Sequence, residues 1–472
     1  MTTSPESHVD VAAKRYRPYD LRNFRDLPQV QDHLTEAQRW EVEVAGHVFP
    51  FKTNNYVVEE LIDWSRVPRD PMFVLTFPQR GMLSQEQFER MEEALRGSDD
   101  PAHHLEVANS IRHELNPHPA GQMEHNVPDL YGEPLEGMQH KYDETVLFFP
   151  SQGQTCHAYC TFCFRWPQFV GLDDLKFQMK DVEKLITYLE EHPEVTDVLF
   201  TGGDPMVMST RIIAGYFDAL IEARDEGRIN IRTIRIGSKS LTYWPYKFVT
   251  DKGADEVLAA FQRVVAAGVH LAFMAHFNHP VELATPAAKA AIANIRRAGA
   301  VIRSQTPVMR GINDHPDIWA DKWRQEVSLG VVPYYMFVAR DTGAQEYFGV
   351  PLVRAHRIFK AAYEQTSGLC RTVRGPSMSA GPGKVEVLGP ATVAGEKVLA
   401  LRFLQGRQAD WVARPFFAAY DEEAIWLDDL RPAFGEEAFF FEEDQAAAAG
   451  EVTDVGRPAA DTALAPIARS QA

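Results

Sequence analysis

The sequence predicts an α/β protein: a partial, TIM-like (β/α)6 barrel with a helical N-terminal extension and a C-terminal extension. Two observations predict it. From Thr145 onward, short apolar runs alternate six times with amphipathic helical stretches. Such alternation implies a parallel sheet with helices outside. The chemically rich loops also follow the apolar runs, at the end of a parallel barrel where active sites are built. A single polar loop after a strand is commonplace, whereas six in succession point to one shared site.

Each element has its own signal. Residues 1–140 are Pro-punctuated and read as largely helical, without strand rhythm. In "FVLTFPQRGMLSQEQFERMEEAL" a helix opens at Ser84, with Gln87 three residues on as a capping box. The first strand is "TVLFF", 145–149. The helix at 182–191 sets Val182, Leu185, Ile186 and Leu189 at helical spacing. "TDVLF" is the second strand, and "IIAGYFDALIEA" is the next amphipathic helix. Further strands are expected near 231–236, 271–277, 301–306 and 333–339. Further helices are expected near 255–267, 286–298, 316–328 and 352–365. Beyond Lys384 come only short apolar stretches: "VEVLG", "KVLALRF" and "EAIWL". The reading divides the chain into 1–140 (helical region), 141–390 (barrel), 391–444 (C-terminal extension) and 445–472. The last part is rich in Ala, Gly, Pro and charge and is expected to be a disordered tail.

Composition narrows the function. A net charge of −18 argues against nucleic-acid or anionic-membrane binding. No run approaches the eighteen or so apolar residues of a membrane span, and the N-terminus lacks a signal-peptide apolar core. Four cysteines in 472 residues are no disulfide scaffold, so a cytoplasmic location with reduced thiols is expected.

Three of those cysteines, Cys156, Cys160 and Cys163, fall in "QTCHAYCTFCFRWPQF" with the spacing C-x3-C-x2-C. As core residues they lack apolar periodicity. As a zinc site they would need a fourth ligand, for which His157 is a candidate. As an iron–sulfur site they supply three thiolates and leave one iron open for a substrate or cofactor.

This spacing after the first strand resembles the signature of the radical S-adenosylmethionine (SAM) enzymes, and implies a radical SAM barrel with a [4Fe-4S] cluster whose open iron chelates SAM. "TGGDP" resembles that superfamily's glycine-rich motif, which implies that Gly202, Gly203 and Asp204 meet SAM. The same resemblance makes His276 in "HFNHP" and Gln305 in "QTPVMRGIND" further SAM contacts.

A narrower resemblance covers most of the chain. "FKTNNYVVEELIDW", "DPMFVLTFPQRGML", "HKYDETVLF", "HFNHP", "QTPVMRGIND" and the Gly-Pro-Gly-Lys stretch ending at Lys384 look like segments of the lysine 2,3-aminomutase family, in family order. The resemblance implies that Lys384 anchors pyridoxal 5′-phosphate (PLP) covalently, that Lys141 and Tyr142 bind its phosphate, and that Arg165 holds the substrate α-carboxylate. The family's second basic phosphate residue is replaced here by Thr145. Where lysine-specific members carry two aspartates, this chain has Arg340 and Ser377, similar to the exchange in the glutamate-specific branch. An arginine facing a lysine ammonium in a dry pocket would be repulsive. The expected substrate is therefore an acidic amino acid, glutamate before aspartate. The alternatives are a lysine or neutral amino acid 2,3-aminomutase, a radical SAM enzyme without PLP, and a non-catalytic iron–sulfur or zinc protein. No cysteine follows Cys370, and His315 stands at the matching partner position, so no structural zinc is expected. The remaining expected partners are a small-molecule amino acid, an electron donor such as flavodoxin or ferredoxin, and further copies of the chain in a homo-oligomer.

Overall fold

The computed structural model describes residues 11–116, 126–170 and 177–442; the tail expected at 445–472 lies outside them. Its centre is one 11-stranded sheet. Strands β1 (Thr145–Phe148), β2 (Asp197–Phe200), β3 (Thr233–Ser238), β4 (His270–Ala275), β5 (Val301–Val308), β6 (Val332–Val338) and β7 (Arg374–Ser379) run parallel in chain order. The links between them contain α1 (Val182–Glu191), α2 (Thr210–Asp225), α3 (Ala254–Ala266), α4 (Pro286–Arg297), α5 (Pro316–Ser328) and α6 (Leu352–Glu364). These are the six expected β-then-α units, with boundaries shifted by a few residues at most.

Strand β7 is the element the sequence hides. Its residues, "RGPSMS", contain Gly375-Pro376, which read as a turn because proline cannot donate to a ladder. It pairs with β6 through an irregular register between Tyr335 and Phe337. The chain then doubles back through β8 (Gly383–Val393), β9 (Glu396–Gly406) and β10 (Pro415–Ala419), all antiparallel. Strand β8 runs through residue 390, so the sheet is continuous across the division drawn there. The apolar "EAIWL" forms no strand; the N–H groups of Ile425 and Trp426 are held by the Asp429 carboxylate.

Burial alternates along β1, β2 and β3. Val146, Val198, Ile234 and Ile236 pack with Leu185, Leu189, Phe217 and Leu220 of the helices. On the other face Thr145, Asp197 and Arg235 meet: Arg235 Nη2 lies 2.7 Å from Asp197 Oδ2 and donates to Thr145 Oγ1 at 3.3 Å. The sheet curls around this inner face. The strand Met138–Tyr142 lies beyond β1, seven places from β7 in the sheet, yet Lys141 Nζ donates to Ala380 O, just past β7, at 2.8 Å. The two ends of the parallel array therefore meet, which makes a partial barrel with a lumen.

The N-terminal region is helical as expected, including Glu36–Val48, Gln85–Gly97 and Pro101–Glu114. The box of Ser84 and Gln87 caps the second of these. Its core is continuous with the barrel's: Phe49, Phe51, Phe77 and Met91 share one buried cluster with Ala158, Trp166, Tyr243 and Trp244.

Candidate active site

The loop after β1 carries the three cysteines and is held from outside the barrel. Lys52 Nζ donates to Cys156 O at 2.7 Å, and Tyr159 N donates to Lys52 O at 2.8 Å. Asn54 Nδ2 bridges His157 O and Tyr243 O, and Tyr16 Oη donates to His157 O. Thr161 is tied to Leu75 O and Val74 O. A loop with little regular structure of its own is thereby fixed by N-terminal groups distant in sequence.

The three thiols are unpaired and only partly exposed. Burial pushes each thiol's pKa up; Asp204, Cys163 and Cys160 add to it at Cys156, Glu282 and Asp204 add to it at Cys160, and Cys163 is pushed up to about 12 by burial and then by Cys160. Lys52, Lys239 and Arg165 pull Cys156, Cys160 and Cys163 back only in part. Three thiols whose anions are disfavoured by burial and by nearby negative groups are a donor set that a cationic iron cluster would stabilise. Among the described residues no three His, Cys, Asp or Glu close on a single-ion site. A cubane takes its thiolates on different irons, so that set need not converge on one point. His157, the candidate fourth ligand of the zinc reading, turns its Nδ1 to Ser240 Oγ at 3.1 Å and is held neutral by burial, its pKa lowered to about 3.

Strand β2 ends against the start of that loop. Gly202 has φ +132°, and a Cβ there would strike the Gln154 amide. A Cβ on Gly203 would lie 2.5 Å from the Thr155 backbone. Both positions need glycine for the close approach. Asp204 is held by the protein on every side. Its buried carboxylate accepts from the N–H groups of Met206 and Lys239, both at 2.9 Å, and from the hydroxyls of Ser238 and Ser240 at 2.8 and 3.0 Å. With its oxygens so occupied, it joins the ends of β2 and β3 and positions the glycines. His276 follows β4, with Nε2 3.2 Å from Thr306 Oγ1 and its ring edge-on to Phe162 of the cysteine loop. Burial holds its pKa well below the ordinary histidine value. Gln305 sits where the ladder between β5 and β6 shifts register.

Lys384 opens β8 and lies in the lumen, its Nζ 4.3 Å from the centre of the Tyr335 ring and donating to Gln405 Oε1 at 3.0 Å. Burial, then Arg374 and Arg235, lower its pKa to about 7. Lys141 is also lowered to about 7, by burial and then by Arg407, Arg340 and Lys384. Its neighbour Tyr142 is pushed up to about 12 by burial. Arg165 is 7% exposed, stacks on Phe149 at 4.1 Å, and leaves Nη1 without a hydrogen bond. Arg165 and Arg340 both lie on the ring of Phe164, at 5.1 and 5.3 Å. Arg340 Nε lies 3.2 Å from Asp341 Oδ1. Ser377 is fully buried, its hydroxyl 3.5 Å from Met336 O. The structure thus brings Lys384, Lys141, Arg165 and Arg340 into one electropositive region and places Ser377 beneath its surface.

No protein-family model matches the chain. A protein of Aquifex aeolicus (strain VF5), named provisionally as an L-lysine 2,3-aminomutase, is 30% identical over 411 residues, spanning 87% of this chain and 95% of that one. The chain belongs to the lysine 2,3-aminomutase family. This aminomutase is thus an enzyme of the isomerase class. It is also 23% identical to the L-lysine 2,3-aminomutase of Methanococcus maripaludis over 81% of this chain and 78% of that one. To that of Clostridium subterminale it is 26% identical over 61% and 65%. A radical SAM methyltransferase from Sphaerobacter thermophilus aligns over 50% of this chain and 68% of its own with 16% identity and a TM-score of 0.32.

Several residues of the aminomutase's site escape a sequence reading. Lys52, Asn54 and Tyr243 hold the cysteine loop. Gln405 receives Lys384. Lys239 Nζ is buried between Asn278 Oδ1 at 2.7 Å and Glu282 Oε1 at 2.8 Å, tying β3's end to the loop after β4. Only the polar residues inside "FKTNN" and "GSKS" signalled any of them.

Proposed function

We propose that this chain is a radical SAM, PLP-dependent amino-acid 2,3-aminomutase acting on an acidic amino acid, glutamate before aspartate. Cys156, Cys160 and Cys163 would hold the [4Fe-4S] cluster, and the edge formed by Gly202, Gly203, His276 and Gln305 would face SAM. Lys384 would carry PLP, with Lys141 and Tyr142 toward its phosphate. When bound, the cluster and SAM supply a 5′-deoxyadenosyl radical that removes hydrogen from Cβ, while PLP supplies the π-system across which nitrogen passes from Cα to Cβ. The electron would come from a donor such as flavodoxin or ferredoxin.

The chain's own residues bind, orient and exclude water. Lys384, lowered to about 7, presents a neutral amine near physiological pH, the form able to attack an aldehyde. Arg165 offers an unpaired Nη1 for the α-carboxylate, in a form suited to bidentate binding. The Arg165 guanidinium lies over the Phe149 ring, and it shares the Phe164 ring with Arg340.

One observation carries the acidic substrate. Arg340 lies between the two anion sites, sharing the Phe164 ring with Arg165 on one side and repelling Lys141 on the other. With a phosphate and an α-carboxylate matched to the other cations, Arg340, its Nε 3.2 Å from Asp341 Oδ1, would be left to meet the substrate side chain. The reconstituted enzyme should convert glutamate to β-glutamate when offered a panel of amino acids. Formation of β-lysine without glutamate turnover would overturn the reading. Turnover confined to uncharged amino acids would mean that Asp341 neutralises Arg340.

A further inference from the structure

Thr145 takes the place of a basic residue, and its hydroxyl is engaged with Asp197 and Arg235. On the far side of the barrel seam, the loop 380–383 leading into Lys384 is gripped at two successive carbonyls. Lys141 Nζ donates to Ala380 O at 2.8 Å, and Arg407 Nε donates to Gly381 O at 2.9 Å. Arg407 also donates its own N–H to Pro382 O at 3.0 Å, and its Nη2 to Asn126 Oδ1 at 3.1 Å. Two cations are thereby set side by side at the base of the Lys384 loop, bonded only to neutral oxygens, with no carboxylate partner among the described residues. Arg407 is exposed, so solvent offsets much of their repulsion, and an anion placed between the two would gain from both.

We propose that Arg407 is the third phosphate-binding group of the PLP site, joining Lys141 and Tyr142 in place of the residue missing at Thr145. It comes from the end of β9, two residues past Gln405, which receives Lys384. Strand β9 and the residue that follows it would therefore supply both a partner for the cofactor-bearing lysine and a cation for the cofactor's phosphate. A guanidinium suits that task because its fork matches phosphate oxygens.

The inference rests on the PLP reading above, and the test separates the two. The full chain, as wild type, R407A, R407K and K384A, is titrated with PLP and with pyridoxal, which lacks the phosphate, following the absorbance of the lysine-bound cofactor. R407A should weaken PLP binding about tenfold, the worth of one charge-assisted hydrogen bond, and leave pyridoxal binding unchanged. R407K should fall between. Equal weakening of both ligands would make Arg407 a structural clamp on Gly381 and overturn the proposal, as would no effect on either. Wild-type protein without a lysine-bound band, or a band that survives in K384A, would overturn the PLP reading itself and this inference with it.

Discussion

Lys384 shows how far one residue's chemistry depends on its surroundings. An exposed lysine amine stays protonated to about pH 10.5, yet burial, with Arg374 and Arg235 nearby, brings Lys384 to about 7. Covalent capture of PLP needs the neutral amine, so its initial rate should rise about tenfold between pH 6 and 8 and then level off. A rate still climbing steeply above pH 9 would contradict this. The linkage to stability has a definite sign. The unfolded chain keeps that proton up to the ordinary lysine pKa, while the folded chain releases it near 7, so stability rises with pH across that window. K384M should therefore melt higher than wild type at pH 7, and the gap should narrow toward pH 9. The position of this lysine was legible in its Gly-Pro-Gly setting. Its depressed pKa was not, because Tyr335, Arg374 and Arg235 reach it from three other strands.

At the scale of elements, the loops after β1, β2 and β3 are one assembly. Asp204 is its keystone, accepting from β3's Ser238 and from Lys239 and Ser240 beyond it while its own N–H donates to Gly153 O and Thr155 O. D204A leaves four donors near a void and should destabilise the fold by about 3 kcal/mol, as buried groups do when they lose a charged partner. D204N should cost nearly as much, since its NH2 would face another donor. Urea unfolding measures both, and iron content after reconstitution should fall in parallel; unchanged stability would show that the carboxylate is free for another task. The alternating apolar runs made the strands and helices readable to within a few residues. The role of Asp204 was not readable, because apart from Met206 its partners lie more than thirty residues ahead or about fifty behind and are brought near only by the fold. Strand β7 was missed for a local reason: Gly375-Pro376 outweighs its neighbours in any propensity reading, and only pairing with β6 makes it a strand.

Across the whole molecule, the two ends of the chain support different halves of the site. The N-terminal region fixes the cysteine loop through Lys52, Asn54, Leu75 and Tyr16. The C-terminal strands fix the lysine through Gln405 and the loop before it through Arg407. This division was invisible in sequence, where both ends looked like appendages to a barrel: the Lys52 and Asn54 contacts span 104 and 103 residues and those of Gln405 and Arg407 span 21 and 26, all too far apart to leave a local pattern. It makes the two halves separable by mutation. K52M removes the donor to Cys156 O and should lower iron retained after reconstitution several-fold while leaving the lysine-bound PLP absorbance intact. Q405L should do the reverse: the cluster forms, but Lys384 loses its partner and PLP loading falls several-fold. Iron analysis and absorbance on the same preparations decide the matter. Loss of both signals in either variant would mean that the barrel transmits the damage and that the two ends do not act independently.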